Sequence, residues 1–167
     1  MGPILDRFRF TGDACADALN TYAPKFLDEE RDAMRTPWTG LGPRVWMNPP
    51  YSRCDAFIQR ARMVAQKEKS TVCVLVPNST ENKWFHRDAL PFASEIWFYE
   101  GRISFIDPDT LKPQSGNPCG SVLLVFGPYS SEGLRFGTLC SKKGYPITRK
   151  DREFWEANRI KPDLAFL

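Results

Sequence analysis

Residues 44–76 read RVWMNPPYSRCDAFIQRARMVAQKEKSTVCVLV and decide the predicted fold. Residues 44–47 are predicted to form a short strand, and apolar side chains recur at helical spacing over 54–68. Residues 71–76 are apolar and rich in β-branched side chains, which is typical of a strand buried on both faces of a parallel sheet. This segment therefore predicts a strand–helix–strand unit of an α/β fold.

The rest of the chain supports the same architecture. Strands are predicted at 7–13, 95–99 and 121–126, and helices at 81–90 and 151–158, the last of them capped by Thr148. Ser52 and Asp55 predict a capping box at the start of the helix over 54–68. The alternation of strands and helices predicts a mostly parallel sheet with helices on both faces.

Composition indicates an ordinary globular protein. The chain has 167 residues, of which 42% are hydrophobic and 26% are charged, and its formal net charge is +3. These values exclude a disordered or fibrous class, and they permit a polyanionic partner without requiring one. We expect one domain over 1–167, with its core at 8–127 and a polar extension at 128–167.

Cysteine spacing and hydropathy exclude two further classes. The five cysteines are widely separated and His86 is the single histidine, so neither a zinc module nor a His-rich metal centre is predicted. Scattered cysteines in an odd number fit a reducing compartment. The first ten residues lack an apolar run, and the longest such run, at 72–76, is far too short to cross a bilayer. We therefore expect a cytoplasmic protein with no metal and no membrane segment.

The tetrapeptide Asn48-Pro49-Pro50-Tyr51 follows the strand at 44–47 and carries the chemistry. Two successive prolines fix the backbone and remove two N–H donors, which leaves carbonyl groups that only accept hydrogen bonds. The Asn48 side-chain oxygen and the Pro49 carbonyl could each accept one N–H of a planar amine, such as the amino group of adenine. The nitrogen lone pair would then be free to attack a methyl sulfonium in line. Stacking on Tyr51 would hold the base, at about 1–3 kcal/mol.

Asparagine and proline are also ordinary turn residues, so the same tetrapeptide could simply end a strand. Its position favours the functional interpretation. Asp13 and Asn48 are both predicted to follow strands, and ligands of parallel sheets bind beyond the carboxyl ends of the strands.

Several motifs in order point to one family. They run from about residue 8 to residue 126 and comprise 10–16 (FTGDACA) with Asn20, 46–52 (WMNPPYS), 74–77 (VLVP), 83–86 (KWFH), 101–105 (GRISF), 116–118 (GNP) and 121–126 (SVLLVF). In this set the chain resembles the phage-type, Dam-like DNA adenine methyltransferases. The resemblance implies a Rossmann-like methyltransferase fold, S-adenosyl-L-methionine as the cofactor, and adenine in double-stranded DNA as the substrate, reached by base flipping.

The resemblance also implies roles for individual residues. The catalytic motif comprises Asn48, Pro49, Pro50 and Tyr51. The residues assigned to the cofactor are Asp13, Ala14, Cys15 and Asn20, with Asp28 as a weaker candidate. By residue type, Lys83, Arg102 and Asn117 are candidate DNA contacts. A basic cluster in the tail is compatible with binding of the DNA backbone or with a solvated face, and it comprises Lys142, Lys143, Arg149, Lys150 and Arg152. His86 is interpreted as a packing or capping residue.

Other functions fit the sequence as well. The same motif could direct methylation of DNA cytosine, RNA adenine or a protein glutamine, since all of these present an –NH2 group. A catalytically idle DNA-binding module could retain the fold, although an intact motif at 48–51 argues against this alternative.

Overall fold

The computed structural model describes residues 1–105, 110, 112, 119–127 and 133–161. Within these residues the chain forms a seven-stranded sheet with helices against both faces, which confirms the predicted α/β class. The strands are β1 Gly12–Asp13, β2 Lys25–Phe26, β3 Arg44–Met47, β4 Thr71–Pro77, β5 Glu95–Glu100, β6 Ser121–Phe126 and β7 Arg135–Cys140. The helices are α1 Gly2–Phe8, α2 Cys54–Glu68 and α3 Arg149–Ala157, with shorter helical turns at Trp38–Leu41, Tyr51–Arg53 and Phe85–Ala89.

The strands lie in the order β2-β1-β3-β4-β6-β5-β7. Strands β2, β1, β3 and β4 pair in parallel with one another, and so do β5 and β7. Strand β6 is antiparallel to both β4 and β5, so the sheet is mixed. A strand that is buried on both faces is apolar whichever way it runs, and the sequence of β6 therefore carried no signal of its direction.

Alternate residues of the central strands point to opposite faces of the sheet, so each strand contributes to two cores. On β4, Val72, Val74 and Val76 belong to the core that contains α2, whereas Cys73 and Leu75 belong to the core that contains α1 and α3. All five side chains are at most 3% exposed. Burial on both faces explains why the sequence of β4 is apolar without alternation.

Several predicted boundaries agree closely with the structure. The bounds of β3 and β6 are those predicted, α2 occupies the predicted helix over 54–68, and β4 extends the predicted strand by one residue to Pro77. The predicted cap of α3 is also confirmed, because the Thr148 hydroxyl oxygen accepts a hydrogen bond from the Asp151 N–H at 3.1 Å.

Other local predictions were wrong. The predicted strand at 7–13 is a helix in its first part: α1 ends at Phe8, the next residue Arg9 has a left-handed φ of 47°, and only Gly12–Asp13 of this stretch pair in the sheet. The predicted helix at 81–90 is a π-helical turn at Phe85–Ala89. The capping box is absent, since α2 continues directly from a 3₁₀ turn and its first residue has no side-chain cap.

Strand β7 was not predicted, and it pairs in parallel with β5 along six residues. Gly137 allows this pairing because the Trp97 ring lies against it: a Cβ at Gly137 would be 2.1 Å from Trp97 Cζ3. On the same face Trp155 of α3 packs edge-on against Trp97, with ring centroids 5.0 Å apart. The part of the tail that the structure describes therefore adds a strand and a helix to the fold.

A buried ion pair joins α1, β5 and α3. The Arg7 guanidinium donates to both carboxylate oxygens of Glu95, at 2.6 and 2.7 Å, and these side chains are only 2% and 12% exposed. The Trp97 indole N–H also donates to Glu95, at 2.6 Å. The guanidinium carbon of Arg7 lies 4.4 Å from the ring centroid of Trp155. This environment explains why Arg7 is helical and buried rather than part of an exposed strand.

Replacing Arg7 by alanine (Arg7→Ala) is expected to lower the free energy of unfolding by about 3–5 kcal/mol, because the buried Glu95 carboxylate loses its partner. The matched control is Arg149→Ala, since Arg149 pairs with Glu153 on the surface, where these side chains are 93% and 63% exposed. Exposed helical pairs contribute about 0.3–0.5 kcal/mol. Urea unfolding followed by circular dichroism measures both changes, and equal effects would contradict the role assigned to Arg7.

Candidate active site

The candidate site lies at the point in the sheet where the connections from β1 lead to strands on opposite sides of it. Strand β1 is flanked by β2 on one side and by β3 on the other, and the chain visits β2 before it crosses to β3. Ligands of open α/β sheets bind beyond the carboxyl ends of the strands at such a point. A cavity of about 1070 Å³ occupies this position and is lined by the segments that follow β1, β2 and β3, together with Phe105.

Asn48 is the residue at which the chain leaves β3. The three residues before it are at most 2% exposed, and Asn48 itself lines the cavity. Its Oδ1 atom is buried and has no hydrogen-bond partner among the described residues. An unpaired buried acceptor costs about 1–3 kcal/mol, so a ligand that donates an N–H to Oδ1 recovers that free energy.

The two proline carbonyl groups differ in their hydrogen bonding: that of Pro50 accepts a backbone hydrogen bond, and that of Pro49 accepts none from the described backbone. The Pro50 carbonyl accepts a hydrogen bond from the Arg53 N–H at 3.0 Å, which closes the turn that leads into α2. Pro49 is buried against the cavity, and no backbone N–H of the described residues donates to its carbonyl. Among the described backbone N–H groups, none therefore occupies the Pro49 carbonyl, which the sequence predicted as the second acceptor.

Tyr51 stands at the mouth of the cavity opposite a second aromatic ring. It is 40% exposed, and its ring meets Phe105 edge-on, with centroids 6.2 Å apart and an interplanar angle of 72°. Burial of the hydroxyl end raises the pKa of Tyr51 to about 12, so the phenol is neutral at physiological pH. Phe105 ends the GRISF motif that follows β5, and sequence reasoning quoted that motif without assigning this side chain to the site.

Asp13 lies behind the cavity wall rather than on it. The side chain is 1% exposed, and its two oxygens accept hydrogen bonds from the N–H groups of Cys15 and Tyr22, both at 3.2 Å. Burial raises the pKa of Asp13 to about 6, against the opposing effect of these two bonds. The carboxylate thereby shapes the loop that carries Ala14, Cys15 and Asn20, all three of which line the cavity.

The part of the cavity wall that follows β1 and β2 is acidic. The carboxylate residues that line it are Asp17, Asp28, Glu29, Glu30 and Asp32. Two of them are partly neutralised, Asp28 by Arg31 at 3.4 Å and Asp32 by Arg35 at 3.5 Å. Among the described lining residues, Arg53 is the basic one. Such a wall attracts a ligand that carries positive charge, while Asn48 and Pro49 offer acceptors to an amine.

Two of the residues predicted to contact DNA, Lys83 and Arg102, lie outside the cavity lining. Lys83 follows β4 and Arg102 follows β5, and both side chains are exposed. Asn117 lies outside the described residues. His86 is exposed, and its ring packs edge-on against Phe85 with centroids 5.6 Å apart.

The described residues contain neither a metal-binding cluster nor a helix that could span a membrane. No group of three or more histidine, cysteine, aspartate or glutamate side chains in these ranges is arranged to hold a metal ion. Every helix there is too short or too polar to cross a bilayer.

Comparison with known proteins gives the family. The family described as DNA N-6-adenine-methyltransferase (Dam) matches residues 3–149. A protein of Escherichia phage T1 named DNA N-6-adenine-methyltransferase is 30% identical, over 68% of this chain and 52% of the phage protein. A protein of the same name from Haemophilus phage HP1 (strain HP1c1) is 29% identical, over 75% of this chain and 71% of that protein.

The matched part of the chain thus spans about half the length of the phage T1 relative. The family match covers β1 to β7, and with them the cavity and both of its acceptors. The chain belongs to the DNA N-6-adenine-methyltransferase (Dam) family.

Proposed function

We propose that this chain transfers a methyl group from S-adenosyl-L-methionine to the N6 amino group of adenine in double-stranded DNA, on a Rossmann-like methyltransferase fold. The observation that carries the proposal is the buried, unpaired Oδ1 of Asn48, which precedes Pro49 at the carboxyl end of β3. The motif alone fits cytosine, RNA adenine and glutamine equally well. The names of the two phage relatives favour adenine in DNA.

The cavity suits the proposed cofactor. When bound, S-adenosyl-L-methionine supplies an electrophilic methyl group on a positively charged sulfur, and this methyl group is transferred from the sulfur to the amino nitrogen. The acidic wall favours that positive charge, and the loop with Ala14, Cys15 and Asn20, which also line the cavity, would contact the molecule. Asp13 acts from behind by fixing this loop.

The two acceptors act on the nitrogen of the base. The amino lone pair of adenine is delocalised into the ring, which makes the nitrogen a poor nucleophile. If Asn48 Oδ1 and the Pro49 carbonyl each accept one N–H, the lone pair turns toward the methyl group, and positive charge that develops on the nitrogen is stabilised. The proton leaves for solvent after the transfer, so the site needs no general base.

The base must leave the duplex before its amino group can reach Asn48, because the nitrogen is not accessible within the stack. Tyr51 offers a half-exposed ring for it, and the Phe105 ring packs edge-on against Tyr51. An idle DNA-binding module would have no use for a buried acceptor without a partner, which disfavours that alternative.

Asn48→Ala is expected to reduce the turnover number about 100-fold or more, because the lost acceptor stabilises charge that develops in the transition state. The fold and the cofactor affinity should stay near wild type, and Asn48→Asp, which keeps an acceptor, should retain measurable activity. Tritiated methyl incorporation into duplex DNA measures the rates.

The control for this prediction is Asn158→Ala, which removes an exposed asparagine at the end of α3 whose amide donates to the Phe154 carbonyl at 2.9 Å. Its turnover should equal that of the wild type. A wild-type rate for Asn48→Ala would mean that the motif at 48–51 is only a turn.

Tyr51→Phe is expected to retain most of its activity, because the phenol is neutral, with its pKa raised to about 12, and stacking needs only the ring. Tyr51→Ala should raise KM for DNA and lower turnover by roughly tenfold or more, since base stacking contributes about 1–3 kcal/mol. Steady-state kinetics of both variants between about pH 6 and pH 9 separate a role of the Tyr51 hydroxyl from a role of its ring. A large loss in Tyr51→Phe would show that the hydroxyl takes part.

Cofactor affinity is expected to rise with pH through about 6, the pKa of Asp13. A cationic ligand favours the ionised carboxylate, so its binding releases a proton and is tighter above pH 6 than below it. Calorimetry with S-adenosyl-L-methionine at about pH 5 and about pH 8 measures the difference. Asp13→Asn should flatten it, whereas Asp6→Asn, on the exposed side of α1, should not. The same pH dependence in Asp13→Asn would contradict this role.

A further inference from the structure

The turn that follows β7 places two lysines at the edge of the sheet that holds the cavity. Strand β7 is parallel to β5, and β5 and β4 are both antiparallel to β6, so β3, β4, β5 and β7 all end at this edge. Lys142 and Lys143 form the exposed tip of the turn, which is closed by the Gly144 N–H donating to the Cys140 carbonyl at 2.7 Å. The Ser141 N–H ties it to β5 by donating to the Glu100 carbonyl at 3.1 Å.

Two other basic residues of the tail, Arg149 and Lys150, lie toward the other edge, whereas Arg152 packs on Tyr145 with its guanidinium carbon 6.0 Å from the ring centroid. Asp151, in the first turn of α3, pairs with Arg135, the first residue of β7, at 2.8 Å. The first turn of α3 therefore lies at the amino end of β7, and it carries Arg149 and Lys150. Lys142 and Lys143 thus lie at the edge that holds the cavity, apart from Arg149 and Lys150, although all four residues belong to one cluster in the sequence.

Charge is distributed unevenly along the edge that holds the cavity. Over β1 and β2 the cavity wall carries the carboxylates described above. The described charged side chains that follow or end β4, β5 and β7 at this edge include the basic Lys83, Arg102, Lys142 and Lys143 and the acidic Glu81 and Glu100. A polyanion is repelled by the first region and attracted to the second.

We infer that the DNA duplex lies along this edge, from the cavity at the end of β3 to the turn with Lys142 and Lys143, and that this turn holds its backbone. The inference rests on the proposed function. Strands β4, β6 and β5 lie between β3 and β7, which places the turn four strand spacings, or about 19 Å, from Asn48. Phosphates of one strand of B-DNA follow one another at about 3.4 Å along the axis. The turn therefore contacts the backbone about five or six nucleotides from the flipped base.

The segment between β5 and Phe105 supports this path. It leaves the sheet at Glu100 and reaches Tyr51, beside the end of β3, so it runs along the same edge past β6 and β4. Arg102 is exposed on this segment, between the cavity and the turn after β7. Basic side chains thus accompany the whole length of the proposed path.

Two double variants test the inference, because each removes two positive charges from the tail. Lys142→Gln with Lys143→Gln should weaken binding to a labelled duplex of about 20 base pairs by about tenfold, and should make the slope of log affinity against log salt less steep by about 2, or 0.9 per lost phosphate contact. Arg149→Gln with Lys150→Gln should leave affinity and slope unchanged. Titrations between about 50 and 200 mM salt measure both quantities without knowledge of the target sequence.

The outcomes separate this inference from the proposed function. If the wild type methylates adenine in duplex DNA but the two double variants have equal affinity and slope, the turn lies outside the DNA interface and the inference is wrong. If the wild type neither binds nor methylates duplex DNA, the proposed function falls, and the inference falls with it. Circular dichroism and calorimetry with S-adenosyl-L-methionine verify that both variants are folded.

Discussion

The backbone of the two prolines after β3 is the constraint on which the site depends. Pro49 is buried, and the Pro50 carbonyl is held by the Arg53 N–H, so the chain passes from the sheet into α2 along one rigid path. Because neither proline has an N–H, this stretch offers only acceptors, and Asn48 adds a further buried one without a partner. A flexible turn could satisfy these acceptors with its own backbone, whereas the rigid one keeps them for a ligand.

Electrostatics then assign different ligands to different parts of one edge. An acidic wall beside a site that must admit DNA is unfavourable for a polyanion, yet it suits a cofactor with positive charge. The buried carboxylate of Asp13 contributes to this field while its hydrogen bonds hold the loop in place. Basic side chains lie farther along the edge, over β4 to β7. Under the proposed function, this distribution of charge would keep the cationic cofactor and the polyanionic DNA apart except at Asn48.

The face of the sheet opposite α2 has a structural task. There α1 and α3 pack over Trp97, and the Arg7–Glu95 pair connects them through β5. A buried ion pair adds little net stability compared with an apolar contact, but the loss of either partner is strongly destabilising. The pair therefore ties the position of α1 to that of β5. It lies at the amino end of β5, away from the cavity, so this region can be rigid without restricting the site.

The sequence by itself determined the elements whose signals are local. The period of α2, the apolar runs of β4 and β6, the Thr148 cap and the placement of 48–51 after a strand were all predicted, because each depends on neighbours a few residues apart. Tertiary structure decided the antiparallel direction of β6, the pairing of β7 with β5 and the helical state of Arg7, which depend on partners such as Glu95, far away in sequence. It also brought Phe105 to Tyr51 and placed Asp13 behind the wall. Local periodicity shows that a segment is buried, but it does not show which distant segment buries it. The motif at 48–51 could therefore be identified from the sequence, whereas the residues that pack around it could not.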